Sequence, residues 1–231
     1  LEAFSKGLFA IANQFSCPLI GGDTTAGPLN ICITAFGSIP KDKAIRRSGA
    51  LAGDDIWVSG FVGDARLTLA ALRHEIELSK EDLADIEACM HQPTPRVNLG
   101  LALRGVANSA LDVSDGLLGD LRHILKQSGK DAEIFLNRIP KSSALLKQSQ
   151  AIQNQYAARG GDDYELCFTA PSSKRDVIAK ISADLHLPLT QIGSIKSMQH
   201  STPEIRIIDS DGKALNIQES DLLLKSFDHF A

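Results

Sequence analysis

The 231-residue sequence contains neither GxxxxGK[ST] nor GxGxxG, and neither HExxH nor GxSxG. A P-loop, a Rossmann turn, a zincin helix and a hydrolase elbow are therefore excluded. Aromatics are scarce, at nine Phe, two Tyr and one Trp, and Asp plus Glu (28) outnumber Lys plus Arg (24) for a net charge of −4. A nucleic-acid binder needs a basic face with rings for stacking, so nucleic acid is not an expected partner. The apolar runs, such as Ile31–Phe36, fall far short of the roughly 20 residues that cross a bilayer. With no signal-peptide pattern either, the expectation is a cytoplasmic protein without a membrane partner. The four cysteines (Cys17, Cys32, Cys89, Cys167) show no CxxC spacing and lie mainly in apolar segments. They read as small core residues in a reducing compartment. The six histidines form no ligand spacing, and His91, in His-Gln-Pro, reads as structural.

What remains is an ordinary soluble composition, 43% hydrophobic and 23% charged, with a mean hydropathy of −0.04 and a pI near 5.9. A chain of this length buries roughly 70% of its unfolded surface, enough for one large or two modest domains. Apolar residues at Phe4, Leu8, Ile11, Ala12 and Phe15 predict a helix over Glu2–Phe15 with one buried face. Cys17–Ile20 reads as a short buried strand, and Leu29–Ile39, rich in β-branched residues, as a second. The polar stretch Pro40–Gly53 marks a boundary, placed between residues 47 and 48. Beyond it the pattern predicts strands at Asp55–Ser59, Ala110–Val113 and near 132–136, 164–169, 189–196 and 204–208. Helices are predicted near 64–75, 81–90, 97–107, 116–128, 145–157 and 173–185, with a glycine turn at Asp209–Lys213. Helices and strands mix without strict alternation, which suggests a layered α/β or α+β fold.

Chemistry concentrates where Gly meets Asp at the ends of apolar segments: Gly21-Gly22-Asp23-Thr24, Asp112-Val113-Ser114-Asp115-Gly116 and Gly160-Gly161-Asp162-Asp163. Any one of these is most simply a turn or a cap. Three together read differently, because glycines admit anions to the backbone while carboxylates repel them. A divalent cation reconciles the two, since Mg²⁺ takes one or two carboxylates plus phosphate oxygens. In a strand, Asp112 and Ser114 share a face, and Ser114 or Asp115 is placed to cap a helix starting near Gly116. Such a helix start attracts phosphate. Capping alone leaves Asp112 unexplained. Arg46 and Arg47 offer a bidentate phosphate clamp, or simply two solvated charges.

These motifs, with Arg47-Ser48-Gly49-Ala50, Pro93-Thr94-Pro95-Arg96, Gly161-Asp162-Asp163-Tyr164-Glu165-Leu166 and the ending Phe227-Asp228-His229-Phe230, stand in the order seen in thiamine-monophosphate kinases. The sequence resembles that family over essentially its whole length. The resemblance implies the two-domain α/β fold shared with aminoimidazole-ribonucleotide synthetase: residues 1–47 as the remainder of an ATP- and Mg-binding, dimerising N-terminal domain, and 48–231 as a C-terminal α/β domain. It implies ATP-dependent conversion of thiamine monophosphate to thiamine diphosphate by direct in-line transfer, with Mg²⁺, in a homodimer.

Carried over by position, Gly22 and Asp23 meet the nucleotide, Arg47 and Ser114 contact ATP, and Asp23, Asp112 and Asp115 hold metal. Asp23, Arg47 and Asp112 carry the phosphoryl chemistry, and Asp162 and Phe227 contact the thiamine substrate. The family often has Glu at position 162 and Tyr or Trp at 227, so the chemistry types are kept. A Gly-Asp-Asp segment and an Asp-Thr motif that the family carries upstream are absent, and the expectation is a member lacking the start of its N-terminal domain. The rival readings are another ATP-using enzyme of the same fold, or a non-catalytic fragment that binds nucleotide or thiamine phosphate.

Overall fold

The computed structural model describes residues 1–224, and Phe227 and the rest of the C-terminal motif lie outside that range. The chain divides into two compact units, Leu1–Pro40 and a second beginning at Lys41.

In the first unit a helix, α1 (Glu2–Gln14), forms where the periodicity predicts it, but no residue of it is buried. The segments expected as strands, Cys17–Ile20 and Leu29–Ile39, are not strands. A strand exists only through a ladder of backbone partners, and no described residue pairs with these segments. Their side chains stay exposed, Ile33 at 68% and Phe36 at 78%. The cysteine expectation fails with them: Cys17, Cys32 and also Cys89 are exposed, and Cys167 alone is buried.

The second unit is built on a six-stranded sheet. Its strands are β1 (Asp54–Ser59), β2 (Ser109–Asp112), β3 (Lys130–Phe135), β4 (Leu166–Pro171), β5 (Leu189–Ser197) and β6 (Ile205–Ile208), in spatial order β2-β4-β1-β5-β3-β6. Neighbours run antiparallel except β3 and β6. The helices are α2 (Asp64–Leu72), α3 (Lys80–His91), α4 (Val97–Ala102), α5 (Leu117–Ser128), α6 (Ser143–Leu146), α7 (Gln150–Arg159), α8 (Arg175–Leu185) and α9 (Ile217–Leu224). The single helix expected over 145–157 is two, because Ser149 restarts the chain as the N-cap of α7, its hydroxyl accepting from the Ile152 N–H. The turn at Asp209–Lys213 is present, with Gly212 at φ 77°. None of the described helices is long and apolar enough to cross a membrane.

The period-two alternation of the strands divides the core into two layers. On one face Ile56, Val58, Leu111 and Cys167 pack with Leu117, Leu118, Leu121, Ile124 and Leu125, the apolar stripe of α5. On the other, Trp57, Phe168 and Ala170 pack with Leu99, Leu103 and Ile178. Both faces of β1 are therefore covered, and its acidic start is satisfied by partners. Arg175 grips Asp55 with two hydrogen bonds of 2.6 and 2.7 Å, and Asn108 donates to Asp54. Trp57 and Phe168 stack across β1 and β4 with ring centroids 6.3 Å apart. We expect Phe168→Ala to lower unfolding free energy by about 3–5 kcal/mol, measured by urea titration with Trp57, the one tryptophan of the sequence, as the fluorescent reporter.

Candidate active site

Two of the three Gly-Asp segments meet at one end of this sheet. β2 and β4 pair up to Asp112 and Leu166, and the pairing continues past both strands. The Val113 N–H donates to the Glu165 carbonyl, the Tyr164 N–H to the Val113 carbonyl and the Asp162 N–H to the Ser114 carbonyl, each at 2.8 Å. The ladder brings Asp112, Ser114 and Asp115 beside Asp162 and Tyr164. Burial raises the Tyr164 phenol above its ordinary range, and the charges of Asp162, Asp112 and Asp115 add to the effect. That phenol thus stands among three carboxylates.

The turn into α5 is shaped by a residue that the sequence patterns do not single out. The N-cap position is Gly116, one residue beyond Asp115 and two beyond Ser114, the residues expected there. Instead Asp120, in the first turn, reaches back and accepts the N–H groups of Ser114 and Asp115 at 2.9 and 3.0 Å. Burial pushes the Asp120 carboxyl up, and those two amides oppose the rise. Gly116 has φ 115°, and a Cβ there would lie 2.8 Å from the Arg159 backbone, so only glycine fits where the turn crosses the end of α7.

In the Asp162–Glu165 segment, exposure alternates. Asp162 and Tyr164 are exposed, while Asp163 and Glu165 are buried. Asp162 and Tyr164 also have left-handed backbones, φ 65° and 51°, a conformation that costs roughly 1–2 kcal/mol per non-glycine residue. The buried pair holds the segment down. Asp163 accepts the Gly63 N–H at 2.8 Å at the start of α2. Burial pushes its carboxyl well above the carboxylate range, the charges of Asp64 and Glu165 add, and the Gly63 and Ala65 amides oppose. Glu165 is held by Arg96, whose Nε lies 2.8 Å from Oε2 and whose Nη2 donates to Oε1, and by the Ser59 hydroxyl. Asp64 sits beside Asp163, its carboxyl raised by burial to about 6 against a hydrogen bond from Ser142.

Arg47 is exposed and stands elsewhere in this unit. Arg46 bridges to Ser109, the first residue of β2, and the Arg47 carbonyl accepts the hydroxyl of Ser128, the last residue of α5, at 3.4 Å. Its backbone therefore lies at the ends of β2 and α5 opposite those carrying Asp112 and Asp115, and α5, with 12 residues, spans roughly 18 Å. Gly22 and Asp23 belong to the first unit and are exposed; the Asp23 carboxylate accepts the Thr24 N–H at 2.8 Å. Among the described residues, no group of three or more His, Cys, Asp or Glu is arranged to hold a metal ion unaided. The pair Asp112 and Asp115 fits the habit of Mg²⁺, which takes one or two protein carboxylates and draws its other ligands from phosphate and water.

Residues 52–206 match the family of AIR synthase related proteins, over its C-terminal domain. The whole chain is 40% identical to the thiamine-monophosphate kinase of Salmonella typhimurium over 235 residues and spans 69% of that protein. A crystal structure of thiamine-monophosphate kinase from Stenotrophomonas maltophilia superposes with a TM-score of 0.83 at 42% identity, covering 93% of this chain and 67% of that one. A structure of AaThiL complexed with AMPPCP and TMP superposes with a TM-score of 0.61 at 29% identity, covering 80% of this chain and 54% of that one.

The raised Asp64 carboxyl has a consequence for stability. A group that holds its proton more tightly when folded contributes most below its unfolded value, 3.8, and that contribution is lost as pH rises through about 6. Asp64→Asn removes the ionisation and keeps an acceptor for Ser142. Unfolding free energies from urea titration should nearly match near pH 4, and well above pH 6 the variant should exceed the parent by on the order of 3 kcal/mol.

Proposed function

The chain belongs to the AIR synthase-related family and, within it, to the thiamine-monophosphate kinases, and we propose that the acidic end of its sheet is where the phosphoryl group is transferred. The enzyme phosphorylates thiamine monophosphate to thiamine diphosphate at the expense of ATP. The observation that carries the site assignment is the ladder that sets Asp112, Ser114 and Asp115 against Asp162 and Tyr164.

A phosphate oxygen of thiamine monophosphate attacks the γ-phosphorus of ATP; the new P–O bond forms as the bond to the β,γ-bridging oxygen breaks, and ADP leaves. The acceptor is already anionic near neutral pH, since a phosphate monoester loses its second proton near pH 6, so no general base is needed. The obstacle is mutual repulsion of the two substrates. Asp112 and Asp115 would hold Mg²⁺, which when bound neutralises phosphate charge. Ser114 offers its hydroxyl to ATP, and the Asp120 clamp on the Ser114 and Asp115 amides keeps this loop in one shape. Asp162 takes the cationic thiamine end of the acceptor, a charge match that a neutral residue would not supply. The family pattern adds Gly22 and Asp23 for nucleotide and metal, Arg47 for ATP and Phe227 for the thiamine ring. A homodimer joined through the N-terminal unit is part of the same proposal: its exposed Ile31, Ile33 and Phe36 are apolar side chains of the kind that such an interface buries.

The test is chromatographic detection of thiamine diphosphate after incubation with Mg-ATP and thiamine monophosphate. Product should form with thiamine monophosphate and not with thiamine. Asp112→Asn should lower kcat by at least about tenfold, equivalent to ~1.4 kcal/mol in the barrier. Near-normal turnover in that variant overturns the role of Asp112. Folded protein that forms no thiamine diphosphate overturns the reading.

A further inference from the structure

The Pro93-Thr94-Pro95-Arg96 motif supplies none of the proposed substrate or metal contacts, yet its arginine is tied to the site through Glu165. Arg96 is the N-cap residue of α4 and makes no cap bond of its own. Its guanidinium turns instead to Glu165, with Nε and Nη2 both donating to the carboxylate. Glu165 is 5% exposed, and its remaining capacity goes to the Ser59 hydroxyl, which in turn accepts the Leu166 N–H at 2.9 Å. The end of β1 makes room for this carboxylate. Gly60 follows Ser59 with φ 59°, and a Cβ there would overlap Glu165 Oε1. Two separate stretches, Ser59-Gly60 and Arg96, thus converge on the Glu165 side chain.

A buried ion pair is a weak source of stability, because desolvating both charges offsets their attraction. What a bidentate, fully partnered carboxylate supplies is a fixed orientation. Here the fixed residue is the immediate neighbour of Tyr164 and third in line from Asp162, both held in left-handed backbones. We infer that Arg96 is a positioning residue: by clamping Glu165 from behind, it holds Asp162 and Tyr164 in the conformation that grips the phosphate-accepting substrate. This rests on the assignment of Asp162 to the acceptor made above. Arg96 touches neither substrate, and its influence is confined to the acceptor half of the site, since the Asp112–Gly116 turn has its own clamp in Asp120.

The experiment pairs steady-state kinetics with peptide-level hydrogen exchange on Arg96→Ala, Arg96→Lys and Glu165→Gln. Arg96→Ala leaves a buried carboxylate without its cation; if it does not fold, Glu165→Gln still breaks the bidentate grip while keeping an acceptor for Ser59. The KM for thiamine monophosphate should rise about tenfold or more, with the KM for ATP within about twofold of the parent. Arg96→Lys, a cation without the planar fork, should recover part of the loss. Exchange should speed up over residues 162–166 and stay unchanged across α5. Unchanged exchange over 162–166 in the folded variants overturns the proposal, as does a parallel rise in both KM values. If exchange responds as expected but the parent enzyme makes no thiamine diphosphate, the clamp stands and the kinase reading of the site falls.

Discussion

Three backbone hydrogen bonds, from Val113, Tyr164 and Asp162 to carbonyls across the gap between two loops, hold the acidic end of the sheet together. They extend the β2–β4 pairing beyond the strands, so two segments that begin some fifty positions apart in the sequence share one rigid frame. The next amides of the turn, those of Ser114 and Asp115, are taken by Asp120 from the first turn of α5, so these backbone donors are satisfied without calling on the outward-facing side chains. That frees Asp112, Ser114, Asp162 and Tyr164 to face solvent and ligand. Loops that had to use these side chains to hold themselves in place could not also present them.

The cost of the frame is met behind it. Asp163 and Glu165 are buried, and burial of carboxylates is unfavourable unless each finds donors. Asp163 finds the amides at the start of α2, where the helix dipole also favours a negative charge. Glu165 finds Arg96 and Ser59. The four residues from Asp162 to Glu165 therefore carry two arrangements at once: an outward pair suited to a ligand and an inward pair suited to anchoring. Asp64, close by, is also held toward its protonated form by burial, against the hydrogen bond from Ser142.

Much of the second unit was legible from its residues. The α5 stripe of Leu117, Leu118, Leu121, Ile124 and Leu125 has a helical period, and Ile56 and Val58 alternate with Trp57 as a strand buried on both faces should. The Gly-Asp segments were visible for the same reason, since their residue types stand out locally. What escaped was decided by long-range pairing. Leu29–Ile39 has every local mark of a strand and is none in this structure, because a ladder needs a partner that composition does not reveal. Asp120 looked like one more polar residue on a helix, and nothing in its neighbours foretold that it would hold two amides of the preceding turn. The tie between Arg96 and Glu165 was equally hidden, although Asp163-Tyr164-Glu165 carries a clue in its alternation of acid and ring.

The order of strands has a further consequence, for how the chain acquires this shape. β1 lies inside the sheet between β4 and β5, and the Ser59–Glu165 contact joins positions 106 apart. A ribosome delivers β1 long before either neighbour exists. Until β4 and β5 emerge, Ile56, Trp57 and Val58 have no sheet to enter, and the nascent chain must carry them unpaired. Non-local closure of this kind is slow, since loop entropy is lost before contacts repay it. The centre of the sheet therefore forms late, after most of the chain has been synthesised, and the acidic end that depends on β2 and β4 forms with it rather than before it.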